Sequence, residues 1–191
     1  QIIHDVCLQN LPVVFAIDRA GLVGEDGETH QGIYDISFLR NLPNLTILSP
    51  SSVEELEGML AYALSLDTPC AIRYNRGSLR VDCGAKPAID GTWETLREAR
   101  EVTVVATGRL VQTALDASEG LDAGVVSARF LKPLDGAALG AIGKVSRTLI
   151  TLEDGSVEGG LGSALAQHYQ GKPRVIRLGV PEAPVLHASI P

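Results

Sequence analysis

Short apolar runs separated by polar, glycine-bearing stretches set the rhythm of this chain. PVVFAI at 12–17, LTILS at 45–49 and CAIRY at 70–74 read as strands buried on both faces of a sheet. Between them the periodicity turns helical: residues 34–41 predict a short helix, and Ser52 with Glu55 opens a capping box for a helix reaching about Leu66. The opening QIIHDVCLQN, from Gln1, reads as an amphipathic helix already under way. The pattern breaks over 75–93, which holds glycines, a proline and no sustained periodicity, and a domain boundary is expected near residue 85. The second half repeats the grammar of the first. VTVVAT at 102–107, GVVSA at 124–128, TLITLE at 148–153 and RVIRLG at 174–179 predict strands, with helices over Leu110–Glu119, 136–145 and Leu161–Gln170.

Strands alternating with helices at this spacing predict an α/β protein with mainly parallel sheets flanked by helical crossovers. Two consecutive domains are expected, over 1–80 and 95–191, joined by a linker at 81–94. No internal repeat relates the halves at the level of residues. Aromatic residues make up only 4% of the chain, so Leu, Val, Ile and Ala must fill the core. A net charge of −7 and the lack of a basic stripe argue against nucleic acid as a partner. No apolar run is long enough for a membrane span and no signal-peptide pattern opens the chain, so no membrane partner is expected. Three cysteines, Cys7, Cys70 and Cys83, form no C-x-x-C pair; they read as small core residues in a reducing, cytoplasmic setting. Neither the start at Gln1 nor the ending VLHASIP is bounded by a finished element, so the chain reads as a fragment at both ends.

The first candidate for chemistry is the stretch 18–32, DRAGLVGEDGETHQG, which follows the first predicted strand. Ligands of open parallel sheets bind beyond the carboxyl ends of strands, and a loop this long in a compact domain is usually functional or disordered. Arg19 offers a permanent planar cation for a phosphate or carboxylate. His30 is the one group of the loop that exchanges protons near neutral pH, and Asp26 could orient it or hydrogen-bond a substrate hydroxyl. The competing interpretation is a plain surface loop, with Asp26-Gly27 as a tight turn and His30 capping a helix. Arg76, in YNRG, emerges in the same way from the strand at 70–74, and two arginines from neighbouring strand ends can clamp one phosphate; a carboxylate partner at a domain boundary is the alternative. Arg73 lies within the strand and should face elsewhere. EGGLG at 158–162 and TGR at 107–109 are weaker anion-site candidates, with packing favoured for the first. His4, His168 and His187 read as surface or interface residues, and Glu54, Glu55 and Glu57 as a solvated helix face.

GEDGETHQG, followed by LPNLTILSPSSVEEL, resembles the pyrimidine-binding domain of transketolase-like enzymes. AIDRAGLVG before it, YNRG after it, ARFLKPLD at 128–135 and EDGSVEGGLGSAL at 153–165 are closer to the 1-deoxy-D-xylulose-5-phosphate synthases within that group. The resemblance implies the later part of a pyrimidine-binding domain followed by a transketolase C-terminal-like domain. It also implies a transferase that joins pyruvate to D-glyceraldehyde 3-phosphate with loss of CO2, giving 1-deoxy-D-xylulose 5-phosphate for isoprenoid precursors, thiamine and pyridoxal. Thiamine diphosphate with Mg²⁺ is the implied cofactor, and a homodimer the implied assembly. Arg19 and Arg76 are implied to hold the phosphate of the aldehyde; Asp26 and His30 are implied to face substrate near the reactive carbon, with His30 moving a proton or bonding the developing alkoxide. The main cofactor-binding residues are implied to lie upstream of Gln1: the glutamate that activates the cofactor, its aromatic pocket and its diphosphate–metal site are expected outside this chain, which alone is expected to be inactive. Asn75 stands where that family more often has proline. Transketolase itself, a 2-oxo acid dehydrogenase β-subunit and a non-catalytic assembly module are the competing identities; DRAG and YNRG speak against the first two.

Overall fold

The computed structural model describes residues 1–77 and 88–186. Strands β1 (Val14–Ile17), β2 (Thr46–Leu48) and β3 (Cys70–Arg73) alternate with helices α1 (Asp35–Leu39) and α2 (Val53–Leu64). After β4 (Glu94–Arg97) come β5 (Val102–Ala106), α3 (Leu110–Ala117), β6 (Ala123–Ser127), β7 (Phe130–Lys132), α4 (Gly136–Val145), β8 (Thr148–Ser156), α5 (Leu161–Tyr169) and β9 (Arg174–Val180). All seven strands expected from the apolar runs are present. The opening segment differs from the expected amphipathic helix. It is a single π-type stretch, Ile2–Cys7, in which only Cys7 is buried, and Gln1 stands at its head with no side-chain cap bond. The carbonyl of Gln1 accepts the N–H of Asp5 at 2.8 Å. The β1 strand is half-buried with Ala16 exposed, because it lies at a sheet edge rather than in the middle.

The first sheet has the order β1-β3-β2-β7 and the second β4-β6-β5-β8-β9. Within each, the central pairings are parallel, and β7 and β4 are added antiparallel at one edge. The sequence pattern missed these two strands because neither is a continuous apolar run: β4 carries Glu94 and Arg97, and β7 ends on Lys132 before a proline. β7 matters most. It belongs to the second half of the chain yet pairs with β2, Leu48 opposite Phe130, and so completes the first sheet. One apolar core therefore runs through both halves. Ile36, Leu39, Ile47, Met59 and Ile72 pack in the same cluster as Phe130, Leu139, Ile142, Leu149 and Leu165, and the rings of Tyr62 and Phe130 meet edge to face at 5.5 Å. Half of the expected linker, residues 81–87, lies outside the described residues, as do Cys83 and His187. Trp93, near the linker's end, is buried and donates Nε1–H to the carbonyl of Phe130 at 2.7 Å.

Local signals explain the helix ends. Ser52 Oγ accepts the N–H of Glu55 at 3.1 Å, as a capping box requires. The reciprocal bond is shifted by one residue: the Glu55 carboxylate accepts from Ser51, N–H at 2.6 Å and hydroxyl at 2.7 Å. Glu55 is completely buried, against the expectation of a solvated face, because its carboxylate turns back into the interface and lies 3.6 Å from Arg129 of the second half. Glu54 and Glu57 are exposed. Asp135 caps α4 by accepting two N–H groups at 2.9 Å, from Ala137 and Ala138.

Candidate functional site

Parallel pairing decides which loops meet. β1 and β3 run side by side, Ile17 opposite Arg73, so the residues that follow them leave the sheet together. Ala20 N–H reaches the carbonyl of Tyr74 at 3.0 Å. The stretch 18–32 then makes a closed excursion. Gly21 and Gly32 exchange both backbone bonds at 2.8 Å and form its neck. Any Cβ on Gly32 would overlap the carbonyl oxygen of Arg19, so the neck closes only with glycine there. Inside the excursion, Val23 N–H donates to Gln31 Oε1 at 2.9 Å and two short 3-10 turns cover Gly24–Asp26 and Glu28–His30.

This closure brings Arg19, Asp26 and Arg76 together. Arg19 donates Nε–H to Asp26 Oδ2 at 3.2 Å and Nη1–H to Asp18 Oδ2 at 2.8 Å, and Arg76 donates Nη1–H to Asp26 Oδ1. One carboxylate thus sits between two guanidinium groups. The hydrogen bond from Arg76, aided by Arg19, pulls the Asp26 pKa below its usual value, and the bond to Asp26, with the charge of Asp18, raises that of Arg19. Both arginines stay about half exposed while Asp26 is mostly covered. A guanidinium has five N–H donors, so both arginines keep donors for a second anion. Arg19 holds this place with a φ of 55°, a left-handed conformation uncommon outside glycine.

His30 does not join the cluster as Asp26's partner. Its Nδ1 lies 3.1 Å from the hydroxyl of Thr29, the ring is exposed, and the Asp26 carboxylate is engaged by the arginines. Arg73 faces inward, as its place in the strand predicts. It is fully buried and donates to Asp35 Oδ2 at 2.7 Å and Asp154 Oδ1 at 3.0 Å. Burial alone would depress its pKa, but the charges of Asp154 and Asp35 outweigh that and raise it.

Asp154 and Asn75 in this neighbourhood were not read from the sequence as part of the site, and Arg109 only within the weaker TGR candidate. Asp154 lies on β8 beside Arg73; Asn75 donates Nδ2–H to Asp154 Oδ2 and, at 2.5 Å, to the carbonyl of Ala20. Arg109 donates to the carbonyl of Leu22 at 3.2 Å and lies 3.8 Å from Asp154. The only signal in the sequence was their location: Asn75 follows β3, Arg109 follows β5 and Asp154 falls near the end of β8, all at carboxyl ends of parallel strands. The carboxyl ends of the two sheets face one another here.

The other glycine-rich candidates are filled from within. At EGGLG the N–H groups of Leu161 and Gly162, which open α5, donate to the buried Glu153 carboxylate at 2.7 and 2.8 Å, and a Cβ on Gly160 would overlap that carboxylate. Burial raises the Glu153 pKa, and these two bonds oppose the rise. In TGR, Gly108 packs against Ser49 and Asn75 while Arg109 reaches the loop. His4 and His168 are exposed; Cys7 and Cys70 are buried free thiols, and burial pushes the Cys70 pKa up to about 12. Among the described residues no three His, Cys, Asp or Glu side chains converge as metal ligands. The site's acids are bound to its arginines, so this arrangement does not fit a diphosphate–metal centre. Gln1 is exposed, and its backbone bond belongs to the π-type stretch rather than to the arginine cluster.

Residues 1–82 match the family model described as transketolase, pyrimidine binding domain, and residues 91–191 that described as transketolase, C-terminal domain. The chain is 45% identical over 201 aligned positions to a 1-deoxy-D-xylulose-5-phosphate synthase of Clostridium tetani, and 46% identical over 202 to one of Chlorobium phaeovibrioides. Each alignment covers all of this chain and 32% of the relative, so the chain spans about a third of the length of the curated relatives it matches. A solved structure titled "Split gene transketolase, inactive beta4 tetramer" superposes with a TM-score of 0.85 at 30% identity, covering 95% of this chain and 61% of the other.

Proposed function

Because this chain belongs to the transketolase family, with part of a pyrimidine-binding domain followed by a C-terminal domain, we propose that it supplies the acceptor side of a thiamine-diphosphate-dependent 1-deoxy-D-xylulose-5-phosphate synthase. The complete enzyme joins pyruvate to D-glyceraldehyde 3-phosphate and releases CO2. The observation that carries this reading is the pair of half-exposed guanidinium groups, Arg19 and Arg76, held on one carboxylate at adjacent strand ends. A phosphate dianion satisfies the geometry that Asp26 now satisfies, and with higher charge. Sugar acceptors lacking a phosphate gain nothing from it. Full-chain similarity to synthases from two organisms supports the same substrate pair.

Roles follow from positions. Arg19 and Arg76 bind and orient the acceptor phosphate. Asp26 shares the arginines with that phosphate, or turns from them to a substrate hydroxyl. His30, exposed on the same excursion, is the group available to hold or move a proton at the acceptor's carbonyl oxygen. Thiamine diphosphate supplies the carbanion chemistry when bound. The residues for its pyrimidine ring, diphosphate and Mg²⁺ are supplied by other parts of the complete enzyme, and this chain alone is inactive. The complete enzyme is a homodimer working in the cytoplasm, where Cys7 and Cys70 stay reduced.

Steady-state kinetics on the complete enzyme tests this. Arg76→Ala raises KM for D-glyceraldehyde 3-phosphate by roughly ten- to a hundredfold, the loss expected for one or two charge-assisted hydrogen bonds, and leaves KM for pyruvate within about twofold. His30→Ala lowers kcat. Equal effects of Arg76→Ala on both substrates would remove the phosphate role, and an unchanged kcat would remove His30.

A further inference from the structure

The acceptor excursion does not stand on its own half of the molecule. Its neck is closed by Gly21 and Gly32, but that pairing fixes the loop only to itself. Within the first half, Ala20 N–H on the carbonyl of Tyr74 ties the neck to the segment of Arg76; a further set of polar contacts crosses from the neck to the second half. Asn75 holds the carbonyl of Ala20 with the same amide nitrogen that it gives to Asp154. Arg109 holds the carbonyl of Leu22. On the other side of the neck, Ser156 N–H donates to the carbonyl of Ile33 at 2.7 Å. Gly21, at φ 78°, lies so close to Asp154 that any Cβ would overlap its carboxylate.

Asp154 is the hub of this set. Its side chain is 2% exposed, and its two oxygens divide between the halves' tasks: Oδ1 accepts from Arg73, and Oδ2 accepts from Asn75 and faces Arg109. Among its contacts are neither Arg19, Asp26 nor Arg76, so it does not bind the acceptor itself. We propose that Asp154, acting through Asn75 and Arg109, is a positioning residue by which the C-terminal half sets the spacing of Arg19 and Arg76 for the acceptor. Arg76 follows Asn75 directly and Arg19 precedes Ala20, so the Asn75 amide ties together the two backbone segments that carry the guanidinium groups. Turning that amide, or removing its carboxylate anchor, leaves the two segments joined only by the bond from Ala20 N–H to the carbonyl of Tyr74 and loosens their spacing.

The alternative is a buried ion pair that only fastens the halves together. The shared apolar core already does that, through β7 and the Phe130 cluster, so the polar set is not needed for attachment. The two roles differ in what they move. Fastening affects stability and both substrates alike; positioning affects the acceptor selectively.

This inference rests on the acceptor reading above, and the experiment separates the two. In the complete enzyme, Asp154→Asn, Asn75→Ala, Arg109→Ala and Arg109→Lys are compared with Arg76→Ala for KM of D-glyceraldehyde 3-phosphate, KM of pyruvate and thermal midpoint. Asn75→Ala leaves the buried Arg73–Asp154 pair intact, so it reports even where Asp154→Asn fails to fold. Expected are a roughly tenfold rise in acceptor KM for Asp154→Asn and Asn75→Ala, a smaller rise for Arg109→Ala, recovery in Arg109→Lys, and pyruvate KM within about twofold throughout. An unchanged acceptor KM in Asn75→Ala, or KM values for both substrates rising together, overturns the positioning role. A silent Arg76→Ala would remove the phosphate reading and the positioning role with it, whereas an acceptor-selective Arg76→Ala beside a silent Asn75→Ala would overturn the positioning role alone.

Discussion

Arg19 occupies a backbone conformation that its residue type disfavours, at a φ of 55°. A left-handed non-glycine residue costs on the order of 1–2 kcal/mol, and Arg19's ion pairs to Asp18 and Asp26 lie at the solvent edge, where such pairs are screened. Backbone strain of this kind is characteristic of ligand-binding positions. Arg19→Gly is therefore expected to leave the thermal midpoint of the enzyme unchanged or slightly higher while raising acceptor KM; a clear fall in the midpoint would show that Arg19 is there for the fold. For single residues the sequence was a good guide to identity and a poor one to partnership. Arg19, Asp26 and Arg76 could be picked out as strand-end charges. That Asp26 faces the arginines and not His30 depends on the register of β1 with β3 and on the neck at Gly32, and neither is local in sequence. Asn75 looked like a mere departure from proline, yet its amide makes two bonds that a proline could not.

The elements recovered from the sequence are the helices α2, α3, α4 and α5, each of eight residues or more, the short helix α1, and the strands that are continuous apolar runs. The exception is the opening segment from Gln1, whose apolar spacing suggested an amphipathic helix but which folds as a short π-type stretch with one buried residue. β4 and β7 were invisible because charged residues interrupt their apolar runs, and the consequence of β7 is large. Three residues from the second half, Phe130–Lys132, complete the first sheet, and Phe130 lies at the centre of the shared core. Bonds from side chains to backbone carbonyls reinforce this crossing: Arg40 Nη1–H donates to the carbonyl of Leu131, and Lys132 Nζ to those of Arg40 and Leu42. Phe130→Ala is expected to destabilise the folded chain by about 3–5 kcal/mol. Urea denaturation should show this loss in one transition followed alike by Trp93 fluorescence and circular dichroism. Two separated transitions, with only one displaced by the substitution, would mean that the halves fold independently.

In the molecule as a whole, two parallel sheets set their carboxyl ends against each other, and the charged residues collect in that seam. Buried charges there are matched: Arg73 by Asp35 and Asp154, Glu55 by Arg129 across the interface. At the solvent edge the matching is looser, and Arg19 and Arg76 keep exposed donors. Fold class was legible because the alternation of strands and helices is repeated many times. The facing of the two sheets was not, since it is set by β7 and by contacts between residues far apart in the chain, such as Arg73 with Asp154. The seam, on this reading, selects an acceptor by its phosphate. The direct measurement is the ratio of kcat/KM for D-glyceraldehyde 3-phosphate to that for D-glyceraldehyde, in the complete enzyme and in its Arg19→Ala/Arg76→Ala variant. Expected is a strong preference for the phosphorylated aldehyde that falls by at least about a hundredfold in the double variant, with the rate on D-glyceraldehyde little changed. A preference that survives the loss of both arginines would contradict selection by the phosphate.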